Sequence, residues 1–410
     1  MTESLYLHLS SNRETGGGFQ YELNALEVAL HLASQGVPLR VGYEDSTWED
    51  FIPNGIAKIH VPRPAWVNIL FKSATLVRTP LWLMRFLFRM LHPANQVISP
   101  LPSVGKFFPS QESQLVYLVQ GPTVGVIHDL MHRYERSFSE AGSTIRRWYR
   151  DRHFRLLAVA AKGVCVDSLL GQRQLVESYG VPPSKVDVLP FAVPSYALEE
   201  PHDDFDSRYS LPTKFLFYPA ALLPHKNHEC LFRAMARLVP ELPDIYLVLV
   251  GGRGNAQSYL QHLAVELGIS DRVQYLGYVP YRDLAGFFRR ARAFVMPSFF
   301  GPTNIPPLEA MYHGCPALVS NSYGMPEQCG DAAIAFDPKD PDALSKAIAR
   351  IWTDDDLVRD MVAKGRVRSA LYSAVRFTET CASILEQRLG LEHEPPHPLK
   401  EAAEDVPPHS

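Results

Sequence analysis

The most constraining feature of the sequence is a strand–loop–helix–strand unit within residues 293–320. An apolar run, Ala293-Phe-Val-Met296, is followed by a loop and by a segment that carries Pro306 and Glu309 and ends at Gly314-Cys-Pro316. Proline suits the first turn of a helix, so we predict a helix that begins near Pro306, followed by a second strand over Ala317-Leu-Val-Ser320. Such a junction directs free N–H groups and the positive end of a helix dipole towards a ligand, which suits a phosphate.

Length and charge narrow the class of protein. The chain has 410 residues, enough for two or three domains, and 46% of them are hydrophobic, as expected of a large globular core. The formal net charge is −4, so no overall basic field favours nucleic acid as a partner.

Cysteine and histidine usage argues against a disulfide framework and a metal site. The five cysteines are scattered without CxxC spacing, which predicts reduced and mostly buried thiols in a cytosolic protein. Fifteen histidines show no HExxH pattern, so we expect no bound metal. The N-terminus lacks the pattern of a signal peptide, and no apolar run reaches the length of a membrane span.

The first half alternates short apolar runs with helical patterns. Leu5–Leu9 is predicted as a strand, and Gly16–Gly18 follows as a turn that lets backbone approach a ligand. Gln96–Ser99 and Gln114–Val119 are also predicted as strands. A buried strand over residues 124–130 ends in His128-Asp129, and polar residues at such an end point into the ligand crevice of an open α/β sheet. For His128 a core or capping role remains the alternative.

The second half begins after a break in the pattern. Residues 192–213 are rich in Pro, Asp, Glu and Ser and are predicted as a linker. Within them Asp204-Phe-Asp206 could clamp a metal–nucleotide, but in a linker it is interpreted as a solvated acidic run. A second α/β unit restarts at Phe215. Lys226 follows its first strand in a strand-to-helix loop, where it could neutralise a phosphate or be an ordinary surface lysine.

Residues 62–93 do not fit the α/β alternation. Tryptophan and phenylalanine are interleaved with arginine, and Arg85 and Arg89 are four residues apart, on one face of a predicted helix. One interpretation is an interfacial helix on an anionic membrane. The other, which the sequence favours, is a core helix whose arginines extend outward to water.

A series of motifs in the second half resembles the retaining nucleotide-sugar glycosyltransferases of family 4. In order, the matching segments are Tyr218-Pro-Ala-Ala-Leu-Leu-Pro-His-Lys226-Asn227-His-Glu, Leu249-Val-Gly-Gly252, Tyr275-Leu-Gly277-Tyr, Met296-Pro-Ser298, Gly301-Pro-Thr-Asn-Ile-Pro-Pro-Leu-Glu309-Ala, Gly314-Cys-Pro316, and Met325-Pro-Glu327-Gln with Gly330-Asp-Ala-Ala. The first half matches more loosely, through Gly16–Gly18 and residues 126–130.

This resemblance implies an α/β protein of the GT-B fold, with two Rossmann-like domains facing each other across a cleft. It implies an N-terminal acceptor domain (1–192), a C-terminal nucleotide-sugar donor domain (193–372) and a last helix (373–391) that crosses back to the N-terminal domain. Residues 392–410, rich in Pro, Glu and His, are expected to be disordered.

The resemblance also implies a retaining, metal-independent transfer of a sugar from a nucleotide diphosphate to an acceptor hydroxyl, without a cofactor. Lys226 is expected to neutralise the diphosphate, Glu309 to bind ribose and His128 to approach the transferred sugar. The remaining donor-binding residues are expected to be Gly17, Gly18, His225, Tyr278, Thr303, Asn304 and Ile305. The acceptor is expected to be a polysaccharide or lipid-linked glycan, reached in the cytoplasm or at the inner face of the membrane, with residues 62–93 as the candidate membrane contact.

Two departures from the family pattern leave alternatives open. The position eight residues before Glu309 is Gly301, where the family usually has an acid that contacts the sugar. The arginine that often precedes the lysine is His225 here. A protein that binds nucleotide sugars without turnover is therefore one alternative, and a nucleotide-sugar epimerase on the same fold is another that no residue favours.

Overall fold

Two separate parallel sheets organise the chain in a computed structural model, which describes residues 4–12, 16–98, 100 and 104–391. The predicted disordered tail, residues 392–410, lies outside the described residues. The strands are β1 Leu5–Leu9, β2 Leu39–Tyr43, β3 Ala57–His60, β4 Gly105–Phe108, β5 Thr123–Val126, β6 Gly163–Val166, β7 Val186–Val188, β8 Leu216–Pro219, β9 Leu247–Val250, β10 Val273–Gly277, β11 Ala293–Met296, β12 Ala317–Ser320 and β13 Ala333–Phe336.

The helices surround these strands. They are α1 Gly17–Ser34, α2 Ala65–Leu76, α3 Leu81–Leu91, α4 Ala94–Ile98, α5 Leu115–Leu118, α6 Met131–Tyr134, α7 Thr144–Ala160, α8 Leu169–Tyr179, α9 Phe205–Tyr209, α10 His228–Leu238, α11 Gln257–Glu266, α12 Leu284–Arg290, α13 Ile305–Tyr312, α14 Met325–Cys329, α15 Pro341–Thr353, α16 Asp355–Ala370 and α17 Ala374–Leu389.

Both sheets have the doubly wound order, in which the first strands are added on one side of the initial strand and the later strands on its other side. The amino-terminal sheet runs β3-β2-β1-β4-β5-β6-β7, and the carboxy-terminal sheet runs β10-β9-β8-β11-β12-β13. Every pair is parallel; β1, for example, aligns Leu5 with Leu39 on one side and with Gly105 on the other. In such sheets the ligand crevice lies at the carboxyl ends of the strands, where the order reverses. The two-domain α/β architecture predicted from the sequence is therefore present.

The last helix belongs to the amino-terminal core although it follows the carboxy-terminal sheet. Phe377, Cys381 and Leu385 of α17 are buried in the same apolar cluster as Ala25 and Val28 of α1. The chain therefore returns to the amino-terminal domain after it has completed the carboxy-terminal sheet, and its last helix packs against its first. All five cysteines are buried and unpaired, which confirms the prediction about their burial.

Two strands predicted in the first half are wrong. Residues 94–98 form helix α4, and 115–118 form helix α5; Ser99 lies outside the described residues. The strand between β1 and β5 is instead β4, Gly105–Phe108. A short apolar run that is buried on all sides has no period that separates a strand from a turn of helix, so its surroundings decide.

The predicted linker is packed more tightly than its composition suggests. Phe205 and Tyr209 of α9 are buried in the carboxy-terminal core. The two aspartates of the DxD sequence pair with arginines at the surface, Asp204 with Arg208 and Asp206 with Arg290, each at 2.7 Å. The metal–nucleotide clamp therefore has no support here, and the acidic run is solvated as predicted.

The core interpretation of residues 62–93 is wrong for one face of each helix. Trp82 is 71% exposed and Trp66 is 55% exposed, whereas Met84 and Phe88 face the core. The expectation that both arginines extend outward to water is wrong for Arg85. Arg85 turns inward because its Nε donates to the carbonyl of Tyr117 at 2.9 Å, and Arg89 is exposed. No helix in the described ranges is both long and apolar enough to span a bilayer.

Candidate nucleotide-sugar site

A cavity of about 340 Å³ lies between the two domains at the carboxyl ends of their strands. Its amino-terminal wall is the start of α1 together with Phe191, and its carboxy-terminal wall is the start of α13 with nearby tyrosines. The lining residues are Gly16, Gly17, Gln20, Phe191, Tyr196, Pro219, Tyr281, Leu284, Thr303, Asn304, Ile305, Pro306 and Glu309. The structure thus brings together five of the residues predicted from sequence: Gly17, Thr303, Asn304, Ile305 and Glu309.

The glycine segment lies directly opposite the loop before α13. Gly16, with φ +64°, precedes the first turn of α1, and Gly17 and Gly18 lie within that turn instead of in a free loop. A Cβ atom on Gly17 would lie 3.9 Å from Cδ1 of Ile305 in the other domain. Any larger side chain at this position would therefore reduce the space between the walls.

The start of α13 offers fewer backbone donors than the sequence suggests. Pro306 and Pro307 have no N–H, and the N–H of Asn304 donates to Oε1 of Gln328 at 2.9 Å. The amide of Gln328 donates back to the carbonyl of Asn304 at 2.6 Å, which fixes the loop on both sides. Among the described residues, the N–H of Ile305 is the remaining first-turn donor for a ligand.

The side chain of Asn304 occupies the space that a side chain at position 301 would need. A Cβ atom on Gly301 would lie 2.0 Å from Nδ2 of Asn304, so a side chain at 301 and the observed position of Asn304 exclude each other. The observed position of the Asn304 side chain therefore depends on glycine at position 301. A carboxamide with donor and acceptor atoms replaces the acid that the family usually carries.

Glu309 is buried with one oxygen free. The residue is 2% exposed, and in the described part of the chain its Oε1 atom has no hydrogen-bond partner. Burial raises the pKa of the carboxyl to about 7, and the hydroxyl of Tyr196, which donates to it, opposes that shift. An unsatisfied buried carboxylate oxygen costs free energy unless a ligand donates a hydrogen bond to it. The free oxygen of Glu309 can therefore accept a hydrogen bond from a ligand hydroxyl group.

Two tyrosines that the sequence analysis missed complete this wall. The ring of Tyr196 stacks on Tyr281 with centroids 4.8 Å apart, and Tyr278 meets Tyr281 edge-on at 6.1 Å. Tyr278 itself is largely exposed and is not part of the lining. Tyr196 lies in the segment predicted as a linker, where no local pattern marks it as a site residue.

Lys226 lies in the β8–α10 connection and is not part of the lining of this cavity. Burial lowers the pKa of its ammonium group to about 8, and the carboxylate of Glu140 acts in the opposite direction. Other residues of this connection, among them Pro224 and Asn227, border a larger cavity of about 610 Å³ inside the carboxy-terminal domain. None of the residues predicted from the sequence lines that larger cavity, so it is not the candidate site.

His128 is held beside the cavity by the amino-terminal domain. Its Nδ1 donates to Oδ1 of Asp167 at 3.1 Å, and its ring stacks on Phe191 with centroids 5.5 Å apart. Burial alone would lower the pKa of His128, but the Asp167 carboxylate outweighs it and the pKa is raised. With Nδ1 engaged, Nε2 is the ring nitrogen that remains for a ligand.

Asp167 is buried next to His128 in the amino-terminal domain. Burial raises the pKa of its carboxyl group, while the adjacent His128 lowers it. Asp167 was not among the residues predicted from the sequence, although it follows a buried strand just as His128 does, and that shared position could have identified it.

The domains also touch directly next to Lys226. Nδ1 of His225 donates to Oε1 of Glu140 at 2.7 Å, and Phe138 stacks on Phe299 with centroids 5.7 Å apart. Burial and the adjacent Lys226 lower the pKa of His225, while Glu140 opposes that shift. The predicted phosphate-binding residue His225 therefore faces a carboxylate of the amino-terminal domain.

Solved structures share this architecture over nearly the whole chain. The structure of Anabaena HepE in complex with UDP and glucose is 17% identical, covers 94% of this chain and 100% of its own, and has a TM-score of 0.69. Sucrose-phosphate synthase from Thermosynechococcus elongatus is 18% identical, with coverages of 94% and 99% and a TM-score of 0.69. The chain therefore has the GT-B fold of glycosyltransferases, as predicted.

The match to a family model lies in the carboxy-terminal domain. Residues 200–368 match the family model described as "Glycosyl transferases group 1". O-antigen chain mannosyltransferase B of Escherichia coli is 37% identical over 161 residues, which are 39% of this chain and 42% of that protein. D-inositol 3-phosphate glycosyltransferase of Corynebacterium jeikeium is 32% identical over 153 residues, 35% of this chain and 36% of the relative. The matches thus span less than half the length of these relatives.

Proposed function

We propose that the protein is a glycosyltransferase that transfers a sugar from a nucleotide diphosphate to a hydroxyl of a growing glycan, with retention of the anomeric configuration. The observation that carries this proposal is the buried, unsatisfied oxygen of Glu309 in a cavity between two GT-B domains. The match of residues 200–368 to a glycosyltransferase family model supports it. The similarity to an O-antigen mannosyltransferase supports mannose as the transferred sugar.

Each wall of the cleft has a proposed role in donor binding. The carboxylate of Glu309 accepts hydrogen bonds from the ribose hydroxyl groups, and the hydroxyl of Tyr196 donates to the same carboxylate and orients it. The N–H of Ile305 and the side chains of Thr303 and Asn304 bind the phosphates and the sugar. The base is proposed to lie next to Tyr278, where a cavity of about 320 Å³ borders the ends of β9 and β10.

Leaving-group stabilisation is the proposed source of catalysis. As the bond from the sugar to the diphosphate breaks, negative charge builds on the diphosphate and positive charge on the anomeric carbon. The ammonium of Lys226, still largely protonated at neutral pH with a pKa of about 8, compensates the developing negative charge. The N–H of Ile305 adds a fixed donor. Since these groups come from the chain itself, the reaction is proposed to proceed without a metal ion.

His128 is proposed to contact the transferred sugar. Asp167 fixes its ring so that Nε2 is the available nitrogen, and the raised pKa lets this nitrogen donate to a sugar hydroxyl. The amino-terminal domain then supplies this contact together with the acceptor, proposed to be a polysaccharide or lipid-linked glycan. The proposed place of action is the cytoplasm, at the inner face of the membrane.

A nucleotide-sugar-binding protein without turnover is the second candidate. Gly301 favours it, because the carboxylate that usually contacts the transferred sugar is absent and Asn304 occupies the adjacent space. A carboxamide can bind the sugar hydroxyls but brings no negative charge to the forming cation. Binding is therefore expected to survive this replacement more fully than catalysis.

The deciding experiment is a panel of nucleotide sugars, first by thermal shift and then by release of nucleoside diphosphate. We expect a mannose nucleotide to raise the melting temperature most and to release its nucleoside diphosphate when a mannan-type acceptor is added, with an α-linked product by NMR. Stabilisation by a nucleotide sugar without any release of nucleoside diphosphate would support the second candidate. An absence of stabilisation by every nucleotide sugar would contradict both.

A further inference from the structure

We propose that one face of the amino-terminal domain docks on an anionic phospholipid bilayer. This face, called here the basic–aromatic face, is formed by the exposed side chains Trp66, Ile69 and Lys72 of α2, and Trp82, Phe86, Arg89 and Met90 of α3. The proposal deepens the proposed function by naming the surface on which the enzyme works. It is testable without any transferase activity.

Apolar side chains occupy the face of α3 that is turned away from the core. Trp82, Phe86 and Met90 recur at intervals of four residues and are 71%, 49% and 68% exposed. The opposite face, with Met84 and Phe88, is buried in the domain. An amphipathic helix normally turns its polar side to water, so an apolar outer face indicates a different environment outside.

Helix α2 extends this face. Trp66 and Ile69 are 55% and 65% exposed, while Val67 and Phe71 are buried. Large apolar and aromatic groups next to long cationic side chains are the composition that enters the boundary between headgroups and acyl chains. Tryptophan is enriched at that depth because its ring is amphipathic.

The positive charge of the basic–aromatic face and its surroundings favours an anionic partner. Residues 51–111 contain seven basic and no acidic residues, although the whole chain has 40 basic and 44 acidic residues. Of the seven, Lys106 is buried, Arg85 turns inward and Arg63 pairs with Glu44, whereas Lys72, Arg78 and Arg89 are exposed. The excess of positive charge is therefore local. An anionic bilayer complements it, whereas a second copy of the same face would place two groups of cations against each other.

A basic cavity continues the face at its border with α7. The guanidinium group of Arg78 lies over the ring of Trp148 at 5.1 Å. Trp148 in turn lines a cavity of about 430 Å³ together with Arg133, Arg136, Arg147 and Asp151. The Asp151 carboxylate pairs with Arg133 at 3.3 Å, which leaves Arg136 and Arg147 as the excess cations of this lining. Guanidinium groups bind phosphates with two parallel hydrogen bonds, so this cavity suits the headgroup phosphates of the same bilayer.

Arg85 is excluded from the docking role. Its Nε donates to the carbonyl of Tyr117, so a substitution there would disturb the fold and confuse the result. Lys72 and Arg89 are exposed and can be reversed without breaking a described contact within the domain. The useful charge-reversal variant is therefore Lys72→Glu with Arg89→Glu.

The test is sedimentation of the full-length protein with vesicles of phosphatidylglycerol and phosphatidylcholine, and with vesicles of phosphatidylcholine alone. We expect preferential binding to the anionic vesicles, which rising salt weakens. Lys72→Glu with Arg89→Glu is expected to lower the binding constant by about thirtyfold or more, since each cation near an anionic surface contributes a factor of about five to six. Trp82→Ser with Phe86→Ser is expected to lower it by about tenfold or more.

Matched controls lie on the carboxy-terminal domain. Lys346→Glu with Arg350→Glu reverses two exposed charges on α15, and Val265→Ser with Val367→Ser removes two exposed apolar groups. Both control variants are expected to bind vesicles as the parent protein does. All variants are first compared by circular dichroism and thermal unfolding.

Three outcomes would overturn the proposal. The first is equal binding to anionic and neutral vesicles, and the second is unchanged binding of both basic–aromatic variants. The third is conversion of a dimer into a monomer by Trp82→Ser with Phe86→Ser, measured by light scattering, because a second copy would then cover the face. Since no donor or acceptor is present, none of these outcomes depends on whether the proposed transfer reaction is correct.

Discussion

The two domains have the same layered architecture but differ in the kind of feature that indicates their function. The carboxy-terminal domain carries an ordered series of short motifs, and residues 200–368 match a family model. The amino-terminal domain has few such motifs, and its unusual feature is an exposed basic–aromatic face. The proposed nucleotide site uses backbone turns and a few fixed side chains, and such features leave a local sequence pattern. A surface that meets a variable partner needs only composition and exposure.

The comparison predicts that the largest losses of activity come from the carboxy-terminal domain. Lys226→Ala is expected to lower kcat/KM by about a hundredfold or more, because the charge that develops on the diphosphate is no longer compensated. Glu309→Ala is expected to act mainly on donor affinity, through the lost ribose contact. Steady-state kinetics with varied donor measures both, and Lys346→Ala on the surface of α15 is the control.

The amino-terminal contribution to the site is expected to be smaller. His128→Ala is expected to reduce kcat by about tenfold or more with little change in the affinity for free nucleoside diphosphate, because the sugar contact is lost while the phosphate contacts remain. Kinetics and calorimetry together measure this division. His262→Ala, at an exposed position of α11, is the control. An equal loss of nucleoside diphosphate affinity would place His128 in a structural role.

The pH dependence of donor binding tests the carboxy-terminal pair directly. The proposed donor binding uses Glu309 as a carboxylate and Lys226 as an ammonium group. Glu309 becomes protonated as the pH falls below its pKa of about 7, and Lys226 loses its proton as the pH rises above its pKa of about 8. Donor affinity is therefore expected to be highest between these values and to fall by up to about tenfold per pH unit on either side.

Calorimetry across this pH range, with variants that remove one limb each, is the measurement. Glu309→Gln should abolish the acid limb, because the amide does not titrate. Lys226→Arg should abolish the alkaline limb, since guanidinium keeps its proton. Persistence of either limb in its variant would assign the titration to another group.

The smallest expected effect concerns the contact between the domains. The Glu140 carboxylate acts on Lys226 and holds His225, so it competes with an incoming diphosphate for the same cations. Glu140→Gln is expected to tighten nucleoside diphosphate binding by about threefold. Glu135→Gln, which alters another interdomain contact through Tyr323 without facing Lys226, is the control. Weaker binding in Glu140→Gln would mean that the carboxylate supports the site.

The sequence alone predicted the two-domain α/β architecture, the turn into α13 and the burial of the cysteines, because these depend on local patterns of apolar residues, proline and glycine. It also selected Gly17, Thr303, Asn304, Ile305 and Glu309, which the fold brings to one cavity. Only the tertiary structure brought Tyr196, Asp167 and Glu140 to the site, because these contacts join segments that are distant in the chain. It also decided which side of α2 and α3 faces water, since a helical pattern fixes which residues share a face but not what that face meets.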